Sequence, residues 1–287
     1  MFARHAGQIR VVSGSPKVRP GPIRHHGAAR ARTCAMTFDT RGVLRFEDSD
    51  GMRLVTLDRP DALNAFNQDL WCAARDALSD AAEDPSLACV VITGAGRAFS
   101  AGQDLTEMAD PSVFTGEEEP GYKSFMPVLE SFPKPLIAAV NGVGVGIGLT
   151  MLPHCDIVLM GESARLKAPF VSLGVTTEAS ASVMLPPRIG WQETAHLLFT
   201  EPWIDAAKAK EIGLVWKVVP DADLLDEATA LGRQIGAMPV PPLVVTKQLM
   251  LAGRLDQVRA ARLREESEFE HLIGSAANRE YLEKFFG

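Results

Sequence analysis

Two glycine-rich turns contain the backbone groups best suited to chemistry in this sequence. The turn FSAGQD (99–104) follows an apolar run that ends at Thr93, and the turn NGVGVGIG (141–148) follows one that ends at Val140. Glycine lets the main chain point its N–H groups at a bound oxygen atom without a side chain in the way. Two such donors, one from each turn, could form an oxyanion hole, which stabilises negative charge on a carbonyl oxygen.

The first turn also contains a serine that suggests a different chemistry. Ser100 lies in AFSAG (98–102), which matches the GxSxG nucleophile turn of serine hydrolases except at its first residue. His154 or His196 would then be the general base, but no residue identifies a third partner. A serine hydrolase is therefore retained only as an alternative, and both histidines are predicted to be structural.

The second turn invites comparison with a dinucleotide-binding loop. Its glycines follow the spacing GxGxG (144–148), whereas the dinucleotide fingerprint is GxGxxG, and position 149 is leucine. No acidic residue ends a second strand about 20 residues later, as that fingerprint requires. The sequence thus argues against a nucleotide cofactor.

The segments around the two turns alternate between strand and helix patterns. A hairpin is predicted over residues 43–57 and an amphipathic helix over residues 67–84. The polar, breaker-rich segment 111–120 predicts a mobile loop that could cover a site. Buried strands are predicted at 89–93, 136–140 and 156–160. This alternation predicts an α/β fold with its strands stacked in layers.

Residues 223–287 show only helix patterns. Helices are predicted over residues 224–237, 243–251, 255–273 and 276–286. The last two have more apolar side chains than short helices can bury by themselves. These are Leu263, Phe269, Leu272, Ile273, Tyr281, Leu282, Phe285 and Phe286. Either a subunit interface or the protein's own core must cover them, and the pattern leaves both open.

Charge divides the chain into an acidic body and a basic N-terminal segment. Residues 1–38 carry seven basic and no acidic side chains, so the rest of the 287-residue chain carries 22 basic against 36 acidic ones, a net charge of −14. This balance argues against a nucleic-acid-binding surface. No apolar run is long enough for a membrane span, and the four cysteines lack metal-ligand spacing.

The basic segment is rich in proline and glycine. Residues 1–37 are predicted to be a disordered extension, either transit-like or preceding a true initiator at Met36. The expected location is the cytoplasm, or the mitochondrion if residues 1–35 act as an import signal.

Six segments, in this order along the chain, resemble the crotonase, or enoyl-CoA hydratase/isomerase, superfamily. They are LDRPDALNAF (57–66), GRAFSAGQDLTEM (96–108), KPLIAAVNGVGVGIG (134–148), HCDIV (154–158), PFVSLG (169–174) and AAKAKEIGLV (206–215). The resemblance implies a crotonase-like β-β-α spiral over residues 38–222. It implies C-terminal helices (223–287) that join subunits into a trimer or hexamer. It also implies an acyl-CoA substrate and no separate cofactor, because coenzyme A is part of the substrate.

The resemblance also implies roles for residues of the two turns. It places the thioester oxygen between the backbone N–H groups of Ala101 and Ile147. Family members commonly have glycine where Ile147 stands, but the donor is a main-chain group that any residue supplies. The substrate channel is expected to be lined by Ser100, Ala101, Gly102, Gln103, Asp104, Ile147 and Phe170.

The resemblance departs from the hydratases at their two catalytic glutamates. The matching positions are Thr150 and Phe170, and neither side chain can act as a base. Glu178, eight residues beyond Phe170, instead matches the base of the peroxisomal-type Δ3,Δ2-enoyl-CoA isomerases. This predicts an isomerase in which Glu178 moves a proton from C2 to C4, within apolar surroundings that raise its pKa.

Three alternatives to this function stay open. The local pattern around Glu178 by itself favours a structural role, as an acid in the first turn of a helix with Thr176 or Thr177 as the cap, and the missing hydratase glutamates favour the catalytic one. The chain would then be a non-catalytic acyl-CoA-binding protein, or it would act on another acyl-CoA. The sequence does not define the length or head group of the acyl chain.

Overall fold

Strands and helices alternate along most of the chain. The computed structural model describes residues 39–108 and 121–286, with side chains through residue 284. The predictions for residues 1–37 and for the loop at 111–120 lie outside the described residues. Within these ranges the strands are β1 (Leu44–Ser49), β2 (Met52–Leu57), β3 (Cys89–Gly94), β4 (Ala98–Ser100), β5 (Leu136–Val140), β6 (Val143–Val145), β7 (Ile157–Gly161), β8 (Arg165–Lys167), β9 (Ile204–Asp205) and β10 (Lys217–Val219).

The larger sheet has six strands in the order β1-β2-β3-β5-β7-β10. β1 and β2 form the predicted antiparallel hairpin, and the strands from β2 to β10 are parallel. Every residue of β3 and β5 is buried. Their continuous apolar sequences are those expected of parallel strands that are covered on both faces.

The smaller sheet has four strands in the order β4-β6-β8-β9, with β4, β6 and β8 parallel. Strands that follow one another in the sequence alternate between the sheets: β3 precedes β4, β5 precedes β6, and β7 precedes β8. The chain therefore advances as a spiral, and the predicted layered α/β fold is confirmed. Because β4 and β6 are neighbouring parallel strands, the two glycine turns that follow them lie side by side.

Helices occupy the segments between the strands and the whole C-terminal region. They are α1 (Gln68–Glu83), α2 (Leu105–Met108), α3 (Gly121–Glu130), α4 (Ile147–Thr150), α5 (Ala181–Ile189), α6 (Trp191–Thr200), α7 (Ala206–Glu211), α8 (Leu224–Gly236), α9 (Val240–Ala252), α10 (Leu255–Leu272) and α11 (Ala276–Phe286). α9 begins three residues before its predicted start. Its prolines at 241 and 242 lie in the first turn, where a missing N–H leaves no hydrogen bond unmade.

Residues 36–287 form one compact unit with two hydrophobic clusters. The larger cluster includes the aromatic side chains of Phe66, Trp71 and Phe125, from α1, α3 and the segment before α1. The smaller cluster joins Leu224 and Ala228 of α8 to the six-stranded sheet. The boundary predicted between residues 222 and 223 is thus a change of element type inside one compact unit.

The apolar residues of the last two helices have different surroundings. Phe269 and Leu272 pack against the larger cluster, so the protein's own core covers them. Leu263 is 58% exposed and lies away from that core. The protein's own core therefore covers Phe269 and Leu272, whereas a subunit interface over Leu263 stays a prediction.

None of the described helices is by itself both long and apolar enough to cross a membrane. Residues Asp221–Gly236 and Val240–Ala252 pass that test only as a pair, and the pair is bent by 108°.

Candidate active site

A large cavity lies beside the two glycine turns. Its volume is about 1140 Å³, and Ala101, Gly102, Gln103 and Gly146 form part of its wall. Most other lining side chains are apolar, which is the usual composition of a site for a small organic ligand. The apolar and aromatic ones that matter below are Tyr122, Phe170, Val175, Phe269, Tyr281 and Leu282.

The close contact between the two turns depends on glycine. Gly102 has a φ of +98°, which other residues rarely adopt. A Cβ atom at this position would lie 2.9 Å from the carbonyl oxygen of Val145, in the neighbouring turn. Glycine at 102 therefore brings the turn after β4 against the turn after β6.

Each turn has at least one backbone N–H without a protein acceptor in the described parts of the chain. The N–H of Phe66 donates to Gly102 O at 2.7 Å, and the N–H of Asp104 donates to Phe66 O at 2.9 Å. In this parallel bridge, the intervening N–H of Gln103 points away from Phe66. The N–H of Ile147 is the first of α4, so it has no acceptor within that helix.

The predicted donor at Ala101 is not supported by the structure. Its N–H donates to the carbonyl of Leu63 at 2.9 Å and is therefore already engaged. Ala101 does line the cavity, as predicted. The free donor on this turn is two residues further along, at Gln103. The sequence alone could not distinguish them, because the Leu63 carbonyl reaches the turn only in the folded chain.

Ser100 stabilises the turn through hydrogen bonds. It does not line the cavity, contrary to the prediction that it lines the substrate channel. Its side chain is fully buried, and its hydroxyl donates to Asn64 O at 2.9 Å and accepts from Gly102 N–H at 3.2 Å. His154 is buried with its Nε2 2.8 Å from Ala179 O, and His196 is exposed on α6. Neither histidine bonds to Ser100, so the hydrolase alternative has no support.

Glu178 lies in the cavity wall, three residues before α5 begins. Its carboxyl group has no hydrogen-bond partner among the described residues. Burial raises the pKa of Glu178 to about 8, with a smaller contribution from the negative charge of Glu265. Since α5 begins at Ala181 and Ser180 is its N-cap residue, Glu178 is not in the first turn, and the alternative of a first-turn acid capped by Thr176 or Thr177 is wrong.

Gln103 and Asp104 line the cavity but have other partners for their side chains. The Gln103 Oε1 accepts from the indole N–H of Trp71 at 3.0 Å. Asp104 forms a 3.0 Å ion pair with Arg59 and also accepts from Thr106. Although burial raises the pKa of Asp104, these hydrogen bonds hold it below its usual value. Both side chains thus fix the turn, as expected for loop residues.

Comparison with known proteins identifies the family. The family model for enoyl-CoA hydratase/isomerase matches residues 47–286. The chain belongs to the enoyl-CoA hydratase/isomerase family.

The relatives that are similar to the chain are named for different reactions. The 1,2-epoxyphenylacetyl-CoA isomerase of Escherichia coli is 32% identical over 233 residues, covering 79% of this chain and 88% of the relative. The 2,3-dehydroadipyl-CoA hydratase of the same organism is 32% identical over 234 residues, covering 81% and 91%. A crystal structure of an enoyl-CoA hydratase/isomerase from Pseudoalteromonas atlantica has a TM-score of 0.82 and 31% identity, covering 85% of this chain and 96% of that one.

This family member has no acid at the two positions that resemble the hydratase glutamates. Thr150 is fully buried, and its hydroxyl donates to Gly146 O at 3.2 Å. Phe170 is 5% exposed and lines the cavity, as predicted. Ile147 is fully buried in the larger hydrophobic cluster and does not line the cavity, contrary to the prediction, so only its main-chain N–H stays a candidate donor.

The structure adds three site features that the sequence did not reveal. Tyr122 of α3 lines the cavity, and its hydroxyl accepts the Ala179 N–H at 2.9 Å. Glu265 of α10 also lines it, and residues of α10 and α11 form one wall. The chain has two tyrosines, Tyr122 and Tyr281, and both line this cavity. The small number of tyrosines could have drawn attention to these two residues, but nothing in the sequence indicates that they lie in the same cavity.

Proposed function

We propose that this family member isomerises 3-enoyl-CoA to trans-2-enoyl-CoA, with Glu178 as the single acid–base group. The observation that carries the proposal is the carboxyl group of Glu178, which faces the cavity without a hydrogen-bond partner among the described residues. It lies in the same cavity as the two turns with unpaired N–H groups, and positions 150 and 170 have no carboxylate.

The reaction needs one group that accepts and then returns a proton. The Glu178 carboxylate takes a proton from C2, and the C–H electron pair passes toward C1, so that negative charge develops on the thioester oxygen. The resulting dienolate then takes the proton back at C4, which leaves the double bond between C2 and C3. One carboxyl group therefore suffices, and the atoms balance without water.

The negative charge of the dienolate would be stabilised by the N–H groups of Gln103 and Ile147. This pair replaces the predicted pair of Ala101 and Ile147, because the Ala101 N–H is engaged with Leu63. Removal of one donor of an oxyanion hole typically costs about 10²–10³ in turnover. A pair of donors would thus supply a large part of the acceleration.

The apolar wall supports the same chemistry. Phe170 and Val175 precede Glu178 in the chain. Both side chains are buried, and both line the cavity. Exclusion of water raises the proton affinity of the glutamate and protects the dienolate from solvent. Coenzyme A enters as part of the substrate, and each step uses groups of the chain and substrate, so we expect no separate cofactor.

The names of the relatives support two candidate reactions. The isomerase among them supports isomerisation, and the hydratase supports addition of water to an acyl-CoA double bond. Isomerisation is favoured here because hydration requires that water be held and activated, and Thr150 and Phe170 supply no base for this step.

The test compares the two reactions in one preparation. Turnover of trans-3-hexenoyl-CoA and hydration of crotonyl-CoA are followed by ultraviolet absorbance with wild type, Glu178→Gln and Glu268→Gln. Glu268 is exposed on α10 and does not line the cavity, so its variant is the matched control. We expect isomerisation in wild type and control, a loss of at least about 10²-fold in Glu178→Gln, and negligible hydration.

Three outcomes contradict the proposal. A Glu178→Gln variant that isomerises at the wild-type rate would show that Glu178 is not the base. Hydration as fast as isomerisation would make the protein a hydratase. Binding of both substrates without turnover would support a non-catalytic acyl-CoA-binding protein.

We also infer that the chain assembles into a trimer or hexamer. Apolar side chains are exposed on the C-terminal helices: Val245, Leu249 and Met250 on α9 and Leu263 on α10. Val245 and Leu249 are one helical turn apart and therefore share a face of α9. An apolar face of this kind is typical of a subunit interface.

A further inference from the structure

The segment that follows Glu178 has an unusual backbone conformation. Ala179 and Ser180 have φ angles of +57° and +58°, in the left-handed region that residues other than glycine rarely adopt. Such conformations persist only where the surroundings hold them, and they are frequent at functional sites. The position of Glu178 thus depends on whatever fixes these two residues.

Side chains from three other elements hold the main chain of this segment. Tyr122 of α3 accepts the Ala179 N–H at 2.9 Å, and His154 Nε2 lies 2.8 Å from Ala179 O. Glu265 of α10 accepts the Ser180 N–H at 2.6 Å and the Ser182 N–H at 2.9 Å. Glu265 thus binds two main-chain donors, one in the bend at Ser180 and one in the first turn of α5 at Ser182.

Glu265 is itself held rigidly. Its side chain is only 6% exposed, and it also accepts a hydrogen bond from the Ser182 hydroxyl. One turn earlier on α10, Arg262 donates to the buried carboxylate of Glu130 at 2.9 Å, which ties α10 to α3. The Ser180 hydroxyl donates to Val258 O on the same helix at 2.9 Å. A short side chain at position 265 would leave the buried N–H of Ser180 and the partly buried N–H of Ser182 without this acceptor.

We propose that Glu265 is a positioning residue of the isomerisation, because its carboxylate fixes the left-handed bend and so sets the place of Glu178 relative to the two glycine turns. This inference rests on the proposed function. Glu265 does not exchange a proton with the substrate. Its effect passes through Ser180 and Ser182 to the base.

The charged groups around Glu178 add an electrostatic signature. Tyr122 of α3 and Glu265 of α10 both interact electrostatically with Glu178, and Glu266 of α10 lines the same cavity. The negative charge of Glu265 opposes ionisation of Glu178 and so contributes to its raised pKa. Removal of that charge should therefore lower the pKa of Glu178 and move the acidic limb of the activity profile to lower pH.

The test uses Glu265→Ala, Glu265→Gln and the control Glu268→Gln on the same helix. Alanine removes both acceptor oxygens, whereas glutamine keeps one. We expect kcat for trans-3-hexenoyl-CoA to fall on the order of 10²-fold in Glu265→Ala, with partial rescue in Glu265→Gln and an unchanged KM, since displacement of a catalytic group by about 1 Å costs this much. In both variants the acidic limb should move to lower pH.

The readouts separate positioning from a merely structural role. A folded Glu265→Ala variant with wild-type kcat overturns the proposal, and so does a lower kcat with an unmoved acidic limb and no rescue by glutamine. If the alanine variant fails to fold, the pH limb of Glu265→Gln decides. Carbon-13 NMR titration of the Glu178 carboxyl group measures the same shift without turnover, and an unshifted titration also overturns the proposal.

The two proposals fail in different ways. Wild type without isomerisation, or a fully active Glu178→Gln, refutes the proposed function. Isomerisation that depends on Glu178 but is indifferent to Glu265 refutes only the present inference.

Discussion

The raised pKa of Glu178 predicts an unusual pH dependence for the reaction. The base must be ionised to take a proton from C2, and burial raises its pKa from 4.5 to about 8. Ionisation is thus lost as the pH falls through about 8. With this pKa, about 90% of the enzyme has the active carboxylate at pH 9 but only about 1% at pH 6, so kcat/KM should rise almost 100-fold between them.

A glutamate with an ordinary pKa would give no pH dependence in this range. A carboxyl group with a pKa of 4.5 is ionised throughout this range, so the profile would be flat. Tyr122 does not confuse the measurement, because burial raises its pKa well above 10. Burial also raises the pKa of Glu265, which lines the same cavity, and the Glu265→Gln variant distinguishes its titration from that of Glu178.

The assay measures initial rates of trans-3-hexenoyl-CoA isomerisation from pH 6 to 9, below KM and at constant ionic strength. The protein is returned to pH 8 after each exposure to show that the activity loss is reversible. A flat profile, or a limb centred below pH 6, would refute the reasoning that a partly buried, unpaired Glu178 is the base.

Two further predictions concern the turns and the assembly. Gly102→Ala should lower kcat by about 10²-fold or more, because its Cβ would lie 2.9 Å from Val145 O and displace the turn. The control Gly190→Ala should keep wild-type kcat, since Gly190 also has a positive φ, of +83°, but has open space around it. Equal rates in the two variants would contradict this account. Analytical ultracentrifugation should show that the wild-type protein is a trimer or hexamer. Leu249→Glu should weaken this assembly, whereas the control Gln257→Glu, also at an exposed position, should not. A monomeric wild-type protein would contradict the prediction.

The sequence predicted the architecture well because strands and glycine turns are local patterns. The buried strands β3 and β5 have continuous apolar runs, and the hairpin and the helix at 67–84 follow from alternation and amphipathic spacing. The order of six motifs then indicated the family. Local pattern was enough at each step.

The details of the site depended on contacts between distant residues. The motif FSAGQD does not show whether Ala101 or Gln103 has the free N–H group. Only the hydrogen bond from the Ala101 N–H to the Leu63 carbonyl distinguishes them. The bend after Glu178 has no glycine, so no sequence signal indicated a left-handed conformation there. Glu265 acts 85 positions away from Ser180, a separation that helix periodicity does not encode.

The wall formed by α10 and α11 has a consequence for how the protein is made. Phe269, Tyr281 and Leu282 line the cavity, and Glu265 fixes the bend beside the proposed base. A ribosome releases these residues after both glycine turns and Glu178 have already emerged. The spiral can begin to fold earlier, but the cavity has all its walls only once the C-terminal helices have docked, so a nascent or truncated chain would contain the reactive groups without a formed site.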